Sequence, residues 1–386
     1  MSKPVNIEDY RALARRRLPK MVFDYLEGGA EDETGLAHNR EVFQRVRLRS
    51  RRLVDVSKRD SSITLFDRRI SAPLLIAPTG LNGSFWPKGD IALARSAARF
   101  GIPFLLSTAS NSSIEEVAEH ADGDLWFQLY VVHRKLAEQF VRRAMDAGYS
   151  TLVLTVDVAV NGKRERDIRN GFEMPMHYGF RTLIDGVTHP RWSMSYLRHG
   201  MPQLANFVSA DAGDTELQAA LMSRQMDATF SWEDLKWLRQ IWPRKLLVKG
   251  LSRWQDAERS VALGADGVIF SNHGGRQLDG AVAPFEVLCS SENTTHRPVF
   301  IDSGIRRGSD VVKAVAAGAT AVLLGRATLY GLAAAGERGV DDVLAIMKDE
   351  IDRTLAQLGC PTVEGLSRDY LALPGSASAL QQELAQ

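Results

Sequence analysis

Residues Gly267–Gly280 read GVIFSNHGGRQLDG. The apolar run Gly267–Phe270 predicts a short buried strand, and the polar turn after it places His273 and Arg276 just beyond the strand end. Two glycines between them let the backbone turn sharply and come close to a bound molecule. Histidine exchanges a proton near neutral pH, and arginine can hold a carboxylate at two points. A lone histidine is usually structural, but this dense combination after a strand indicates a catalytic site.

Similar apolar runs recur along the rest of the chain, with amphipathic helical stretches between most of them. The runs are Leu74–Ala77, Pro103–Leu106, Leu125–Leu129, Thr151–Val156, Leu246–Val248, Val268–Phe270, Val299–Ile301 and Ala321–Leu324. Buried strands that alternate with helices predict a parallel (β/α)8 TIM barrel of the α/β class. An open doubly wound sheet is the alternative, but the even spacing and the lack of a glycine-rich turn after the first strand disfavour it.

The chain is expected to form a single domain over residues 1–386. Residues 1–73 predict N-terminal helices and an extended lead-in, and residues 74–370 predict the barrel. The interval between Asp157 and Lys245 is much longer than one helix requires. Residues 172–226 are therefore interpreted as a long insertion after strand 4, at the end of the barrel where active sites form.

Composition excludes several classes of function. The net charge of +1 gives no general attraction to nucleic acid. Cys289 and Cys360 lie far apart and outside metal-ligand spacing, so no metal site is expected and a reducing compartment is the default. Residues Met1–Asp9 lack the apolar segment of a signal peptide, and no apolar run is long enough to span a membrane. A cytoplasmic location follows as the default expectation.

Polar residues close each predicted strand, and in a barrel these side chains would meet at one end. They are Thr79 and Gly80, Ser107, Gln128 and Tyr130, Thr155 with Asp157 and Arg164, Lys249, His273 and Arg276, Asp302 with Gly304 and Arg306, and Gly325 with Arg326. Glycines and arginines after the last two strands indicate a phosphate site, which does not distinguish FMN from a sugar phosphate. Lys249 suits the N1–O2 edge of a flavin, and a Schiff-base lysine is the alternative.

The stretch SNHGGRQLDG resembles the signature of the FMN-dependent L-2-hydroxy-acid dehydrogenases and oxidases, the family of glycolate oxidase, L-lactate dehydrogenase and flavocytochrome b2. The resemblance extends from about Asp9 to about Tyr370. It implies that His273 is the base, Asp157 its carboxylate partner, and Tyr130 a residue near the reacting carbon. It further implies that the substrate carboxylate is held by Arg276, Arg164 and Tyr25.

By the same resemblance the cofactor is FMN, and no metal is expected. The implied contacts to the flavin ring are Thr79, Gly80, Ser107, Gln128, Thr155, Lys249 and Ser271, and those to the ribityl phosphate are Asp302, Gly304, Arg306, Gly325 and Arg326. The implied reaction oxidises an L or (S)-2-hydroxy acid to the 2-oxo acid with hydride transfer to flavin N5. A carbanion route is the open alternative.

Two features narrow the substrate within the family. The segments PTGLNG at Pro78–Gly83 and WPKGD at Trp86–Asp90 resemble the bacterial (S)-mandelate dehydrogenases, and Gly80 stands where many family oxidases carry alanine. Ala109 stands where glycolate oxidase has a bulky tryptophan, which leaves room for a phenyl ring. We therefore expect oxidation of (S)-mandelate to benzoylformate. The alternatives are an L-lactate dehydrogenase or oxygen-using oxidase and, more distantly, a flavin-free phosphate-binding barrel or a non-catalytic membrane adaptor.

Residues 174–207 of the insertion combine aromatic and basic side chains, a composition typical of segments that lie in a membrane interface. They include Tyr178, Phe180, Trp192, Tyr196, Phe207, Arg181, Arg191 and Arg198. The alternative is an active-site lid with a solvated basic face. The membrane interpretation implies a peripheral protein on the cytoplasmic side of the inner membrane, with a membrane quinone as electron acceptor. The family resemblance also implies a homotetramer.

Overall fold

Eight parallel strands close into a barrel in the computed structural model, which describes residues 3–172, 185–200, 202–208 and 227–373. In chain order the barrel strands are β1 Leu74–Ile76, β2 Phe104–Ser107, β3 Leu125–Leu129, β4 Thr151–Thr155, β5 Lys245–Leu251, β6 Gly267–Phe270, β7 Val299–Ile301 and β8 Ala321–Leu324. Each strand pairs with its neighbours in the sequence, and β8 pairs with β1 to close the ring. The predicted TIM barrel is therefore confirmed.

Helices surround the barrel and precede it. They are α1 Ile7–Arg17, α2 Lys20–Glu27, α3 Thr34–Arg45, α4 Gly89–Phe100, α5 Ile114–His120, α6 Arg134–Asp146, α7 Glu165–Arg169, α8 Pro190–His199, α9 Ala205–Val208, α10 Trp232–Ile241, α11 Trp254–Ala262, α12 Pro284–Ser290, α13 Gly308–Ala316, α14 Arg326–Ala335 and α15 Glu337–Leu358. A hairpin pairs Ile63–Leu65 with Arg68–Ile70, and Arg47–Leu48 pairs with Leu371–Ala372.

The barrel strands are almost wholly buried, because helices cover the outer face of a parallel sheet. Their apolar runs therefore lack the alternation that marks a half-exposed strand. The observed fifth strand is longer than the predicted Leu246–Val248, since it continues through an irregularity between Lys249 and Leu251. Gly250 occupies that irregularity with a φ of 101°. A single glycine in an apolar run does not indicate that the strand continues beyond it, so the sequence predicted a shorter strand.

The N-terminal helices bring residues from the start of the chain to the barrel end. The side chain of Asn6 accepts a hydrogen bond from the backbone N–H of Asp9 at 2.9 Å and caps the start of α1. Helix α2 ends at Gly28, whose carbonyl oxygen accepts a hydrogen bond from Arg326 just after β8. This contact carries Tyr25 to the C-terminal end of the strands.

The described part of the insertion contains α8 and α9 and is tied to the barrel by Asn206, which is fully buried. Its side-chain oxygen accepts from the N–H of Ile114 at 3.0 Å, and its amide donates to Ser110 at 3.0 Å. The predicted interfacial residues Tyr178, Phe180 and Arg181 lie outside the described residues. Within residues 3–172, 185–200, 202–208 and 227–373, no helix has the length and apolarity needed to cross a bilayer.

Candidate active site

A cavity of about 300 Å³ opens at the C-terminal ends of the barrel strands. Most residues predicted for the site line it, namely Tyr25, Thr79, Gly80, Ser107, Tyr130, Arg164, Lys249, His273, Arg276, Asp302, Gly304, Arg306, Gly325 and Arg326. Four predicted residues, Gln128, Thr155, Asp157 and Ser271, are not among the lining residues, but each one bonds to or pairs with a residue that lines the cavity. The barrel thus gathers side chains that are spread over most of the sequence.

His273 is held between two other predicted residues. Its Nδ1 lies 3.0 Å from Oδ1 of Asp157, and its Nε2 lies 3.2 Å from the hydroxyl of Tyr130. Because a carboxylate only accepts hydrogen bonds, Nδ1 carries the ring hydrogen and Nε2 is left with a lone pair toward the cavity. This is the arrangement of a base whose orientation is fixed by a carboxylate.

Asp157 is kept ionised by its surroundings. Burial alone would raise the pKa of Asp157, but the interaction with His273, which includes a hydrogen bond, and the positive charge of Lys249 outweigh burial and hold this pKa below its usual value. The side chain of Gln277 fixes the backbone here, since its amide donates to the carbonyl of Asp157 at 3.2 Å and its oxygen accepts from the N–H of Gly162 at 2.8 Å. The loops after β4 and β6 are therefore joined directly.

Gly250 allows Asp157 to approach β5. A Cβ atom at Gly250 would lie 2.7 Å from the Cβ and 2.8 Å from the Cγ of Asp157, closer than such atoms can pack. The φ of 101° at Gly250 is also unfavourable for other residues. Position 250 therefore determines where the carboxylate can sit against the imidazole.

We expect Gly250→Ala to lower turnover about 10²-fold, the usual effect of displacing a catalytic group by about 1 Å. Stopped-flow reduction of the bound cofactor would measure the change. Gly318→Ala is the matched control, because Gly318 has a φ of 115° and nothing within 4 Å of the added methyl group. Equal rates in both variants would show that contact with Asp157 does not position the carboxylate.

Two guanidinium groups converge on Tyr25. Nη1 of Arg276 donates to the carbonyl oxygens of Tyr25 at 2.8 Å and Gly28 at 2.9 Å, and its Cζ lies 4.9 Å from the centre of the Tyr25 ring. Arg164 approaches the same ring at 5.8 Å. Burial and then the charge of Arg164 lower the pKa of Arg276, so an anion in this part of the cavity would relieve an unfavourable concentration of positive charge.

Lys249 forms the most buried ion pair of the site. Its Nζ lies 3.0 Å from Oδ2 of Asp302 and donates to the hydroxyl of Ser271 at 2.8 Å. Burial alone would lower the pKa of Lys249, but Asp302 and Asp157 outweigh burial and raise it above the usual value. Lys249 therefore stays charged, which argues against a Schiff-base role that requires a neutral amine.

Two buried polar atoms beside this ion pair have no hydrogen-bond partner among the described residues: Nε2 of Gln128 and Oγ1 of Thr155. The oxygen of the same Gln128 amide is satisfied, because it accepts from Ser107 at 3.1 Å. Buried donors without a partner are costly, so unpaired atoms next to a cavity indicate a polar ligand that completes them.

The far end of the cavity is built for an anion. Arg326 donates to the carbonyl oxygens of Leu26, Gly28 and Gly274, and burial lowers its pKa to about 9. Arg306 lies over the Tyr330 ring at 5.6 Å. Gly304 comes close to the backbone of Asn39, where an added Cβ would lie 1.9 Å from the carbonyl oxygen. Partly buried guanidinium groups beside glycine backbone are the usual elements of a phosphate site.

The remaining wall is apolar, and sequence reasoning missed most of it. Val132 and Val158 follow the ends of β3 and β4 by a few residues, a spacing that could have identified them. Phe85 and Leu204 gave no such signal, because they reach the cavity from loops whose path is set by tertiary contacts. Leu81 and Phe207 complete this apolar wall, and Ala109 lies beside Gly80, with 3.1 Å between its Cβ and a Cβ built at Gly80.

No group of three or more His, Cys, Asp and Glu side chains in the described ranges is arranged to hold a metal ion. The charged and titratable groups at the cavity include one imidazole, two carboxylates, one lysine and several guanidinium groups. Such a set can remove a proton, bind a carboxylate and bind a phosphorylated cofactor at the same time.

Comparisons with known proteins agree with a site that binds a phosphorylated cofactor. The family described as FMN-dependent dehydrogenase matches residues 14–373. The chain is 64% identical over 370 residues to (S)-mandelate dehydrogenase of Pseudomonas putida, which covers 96% of this chain and 94% of that protein. It is 41% identical over 374 residues to glycolate oxidase 1 of Zea mays, covering 96% of each. The crystal structure of the monotopic membrane protein (S)-mandelate dehydrogenase superposes with a TM-score of 0.93 at 64% identity, covering 97% of this chain and 100% of that one.

Proposed function

Because the chain belongs to the FMN-dependent dehydrogenase family, we propose that it oxidises (S)-mandelate to benzoylformate. It is an FMN enzyme that acts on (S)-2-hydroxy acids, and the choice of mandelate rests on two points. Its relative at 64% identity is an (S)-mandelate dehydrogenase. The cavity wall beside Ala109 and Phe85 is apolar and can accept a phenyl ring. The observation that carries the proposal is His273, held by Asp157 and facing the same cavity as Arg276 and Arg164.

The residues present fit FMN. The unpartnered amide of Gln128 and hydroxyl of Thr155 would bond to polar edges of the flavin ring, and the buried charge of Lys249 would lie close to them. Arg306 and Arg326 would hold the phosphate, with Gly304 and Gly325 leaving room for it. The ring and ribityl contacts of Thr79, Gly80, Ser107, Ser271 and Asp302 belong to the same proposal. When bound, FMN supplies the acceptor for the hydride that leaves the substrate.

His273 would take the proton of the substrate hydroxyl at Nε2. That nitrogen faces the cavity, while Nδ1–H is engaged with Asp157 at 3.0 Å. The imidazole becomes positively charged when it takes the proton, and the ionised Asp157 stabilises that charge at the adjacent nitrogen.

Arg276 and Arg164 would bind the substrate carboxylate, with the Tyr25 ring fixing the direction of both guanidinium groups. Tyr130 remains a donor, because burial and then the charge of Asp157 raise its pKa well above the usual value. Its hydroxyl lies 3.2 Å from Nε2 of His273 and so marks where the substrate oxygen would sit. The carboxylate and the hydroxyl together place the α-carbon in one position.

The purified protein is expected to be yellow and to bleach when (S)-mandelate is added without oxygen. The decisive measurement is the bleaching rate with (S)-mandelate, L-lactate and glycolate, followed by reoxidation in air. Faster bleaching by lactate, or rapid reoxidation by oxygen, would favour the lactate dehydrogenase or oxidase alternative. A colourless protein that cannot be reconstituted with FMN would favour the flavin-free barrel or the non-catalytic adaptor.

We further propose that the protein attaches to a membrane and passes its electrons to a membrane quinone. Helix α8 exposes Met194 and Leu197, which are 70% and 83% accessible, and carries Arg191 and Arg198 on its exposed surface. Apolar side chains flanked by arginines suit an interface with anionic lipid. A relative of known structure is a monotopic membrane protein, which supports attachment without a spanning helix. The proposed location is the cytoplasmic side of the inner membrane.

The double variant Met194→Glu/Leu197→Glu is expected to move the protein from the membrane fraction to the soluble fraction. Withdrawing two large apolar side chains from lipid costs about 3 kcal/mol, and two carboxylates add repulsion from anionic lipid. Turnover of (S)-mandelate with an artificial dye should persist, because neither residue lines the active-site cavity. Leu53→Glu is the control, since Leu53 is fully exposed far from α8 in the sequence. Retention of the double variant on membranes would contradict the proposed attachment.

Two expectations stay predictions. The homotetramer implied by the family resemblance can be tested by analytical ultracentrifugation of the purified protein. The interpretation of residues 1–386 as one domain can be tested by calorimetry, which should show one cooperative transition. The N-terminal helices and the barrel share a continuous buried apolar cluster, which supports the second expectation.

A further inference from the structure

We propose that the quinone binds in a second cavity, of about 210 Å³, between helix α8 and the loop that follows β1. The loop contributes Gly83–Lys88 and the helix contributes Trp192, Ser195, Tyr196 and His199. The inference rests on the proposed quinone acceptor and adds the place where that acceptor docks.

Helix α8 has two different faces. Trp192, Ser195 and Tyr196 are spaced as one side of a helix, and all three line the second cavity. Met194 and Leu197 lie on the opposite side and are 70% and 83% exposed. If the exposed apolar side of α8 inserts into the membrane, the cavity on its other side lies at the edge of the lipid. A quinone dissolved in the bilayer could then enter without passing through water.

The second cavity shares a wall with the active site. Phe85 lines both cavities, and its ring lies 6.2 Å from that of Tyr25, which belongs to the active site. A ligand in the second cavity would therefore be separated from the active-site cavity by about one aromatic side chain. Electrons could pass across this wall while the 2-hydroxy acid site stays closed to the quinone.

The lining of the cavity suits a planar ring that carries carbonyl oxygens. The Arg17 guanidinium lies 4.0 Å from the centre of the Trp86 ring, and its Nε is buried with no hydrogen-bond partner in the described part of the chain. Trp192 stacks on Tyr196 with 4.9 Å between ring centres, and its indole N–H is already used by the carbonyl of Ser84 at 2.8 Å. Aromatic rings can stack on a quinone, and Arg17 can donate to its carbonyl oxygen.

The charge of the lining has the sign that quinone reduction requires. Arg17 and Lys88 line the cavity, and none of the described lining residues is an aspartate or a glutamate. Lys88 is paired with Glu116 outside the lining, so the positive charge next to a bound quinone comes mainly from Arg17. Positive charge next to the carbonyl oxygens stabilises the negative charge that they gain as electrons arrive. The overall reaction balances, because the hydroxy acid loses two electrons and two protons in becoming the oxo acid. The quinone gains two electrons and two protons, the protons through exchange with water, and becomes the hydroquinone.

The test uses the complete holoenzyme and a ubiquinone analogue that has one isoprene unit. Arg17→Gln should raise the KM for this analogue about tenfold or more, as expected for loss of a charged donor. Turnover with a small dye that needs no docking site should not change. Binding is measured independently through quenching of tryptophan fluorescence by the analogue, and the midpoint concentration should rise by the same factor. Arg15→Gln removes the same charge from the exposed side of α1 and is the matched control.

The possible outcomes distinguish an error in the proposed quinone site from an error in the choice of quinone as acceptor. If the wild-type protein reduces the analogue and Arg17→Gln leaves both the KM and the quenching midpoint unchanged, the proposed site is wrong while the quinone acceptor stands. If the wild-type protein reduces the dye but neither binds nor reduces the analogue, both the site and the acceptor are wrong. Equal losses in Arg17→Gln and Arg15→Gln would indicate a general charge effect and would also overturn the site.

Discussion

His273→Gln should retain FMN and lose about 10²–10⁴-fold in turnover of (S)-mandelate, the usual contribution of a general base. Glutamine can keep a hydrogen bond to Asp157, but it cannot accept the hydroxyl proton at neutral pH. The cofactor contacts should survive, because His273 binds Asp157 and Tyr130 and is not among the residues proposed to hold FMN. The yellow colour should therefore persist, while anaerobic bleaching by mandelate becomes slow.

A second variant separates the loss of the base from backbone strain. His273 has a φ of 58°, a conformation that asparagine tolerates better than glutamine. If the lost base is the cause, His273→Asn and His273→Gln should lose turnover to a similar extent. Near-normal turnover in either variant would show that another group removes the proton. Full activity in the asparagine variant alone would identify strain as the cause of the glutamine effect.

Arg276→Lys should lower kcat/KM for (S)-mandelate about 10²–10³-fold. Lysine keeps the positive charge but loses the planar fork that can hold a carboxylate at two points. It also cannot reproduce the hydrogen bonds from Nη1 to the carbonyls of Tyr25 and Gly28 while facing the substrate. The loss corresponds to about 3–4 kcal/mol of transition-state stabilisation, since each tenfold change is about 1.4 kcal/mol.

Two comparisons make the Arg276 result specific to the carboxylate. Arg164→Lys should cost less, because Arg164 is held more loosely, with its Nη1 3.6 Å from Asp167. The amide of mandelic acid lacks the negative charge, so its low turnover should fall much less in Arg276→Lys than turnover of the acid does. An equal fall with the acid and the amide would mean that Arg276 supports the structure of the site without binding the carboxylate.

The barrel could be predicted from the sequence because strand burial is a local property of the chain. Runs such as Leu125–Leu129 and Val299–Ile301 are apolar throughout, and only a sheet covered on both faces needs strands of that kind. The end of each run was also visible, so polar residues such as Thr155 and Lys249 could be assigned to the same end of the barrel. The glycines and arginines after β7 and β8 likewise indicate a phosphate site from the sequence alone.

Relations between distant residues could not be predicted in the same way. Asp157 and His273 are 116 residues apart, and their contact depends on the close packing of Asp157 against Gly250. Tyr25 looks like a core aromatic in the sequence, yet the contacts of α2 with Arg276 and Arg326 bring it to the cavity. Neither contact can be predicted from a periodic sequence pattern. Each one depends on how loops that are far apart in the sequence pack together in the closed barrel.

The sequence by itself determined the barrel, the end of the barrel that carries the chemistry, and the residue types gathered there, because these follow from local apolar runs and the polar residues that end them. The tertiary structure alone decided which nitrogen of His273 faces the cavity, which backbone carbonyls hold Arg276, and that Phe85 divides two cavities. Those features depend on distances of a few ångströms between segments far apart in the chain. Such distances are set by packing in three dimensions.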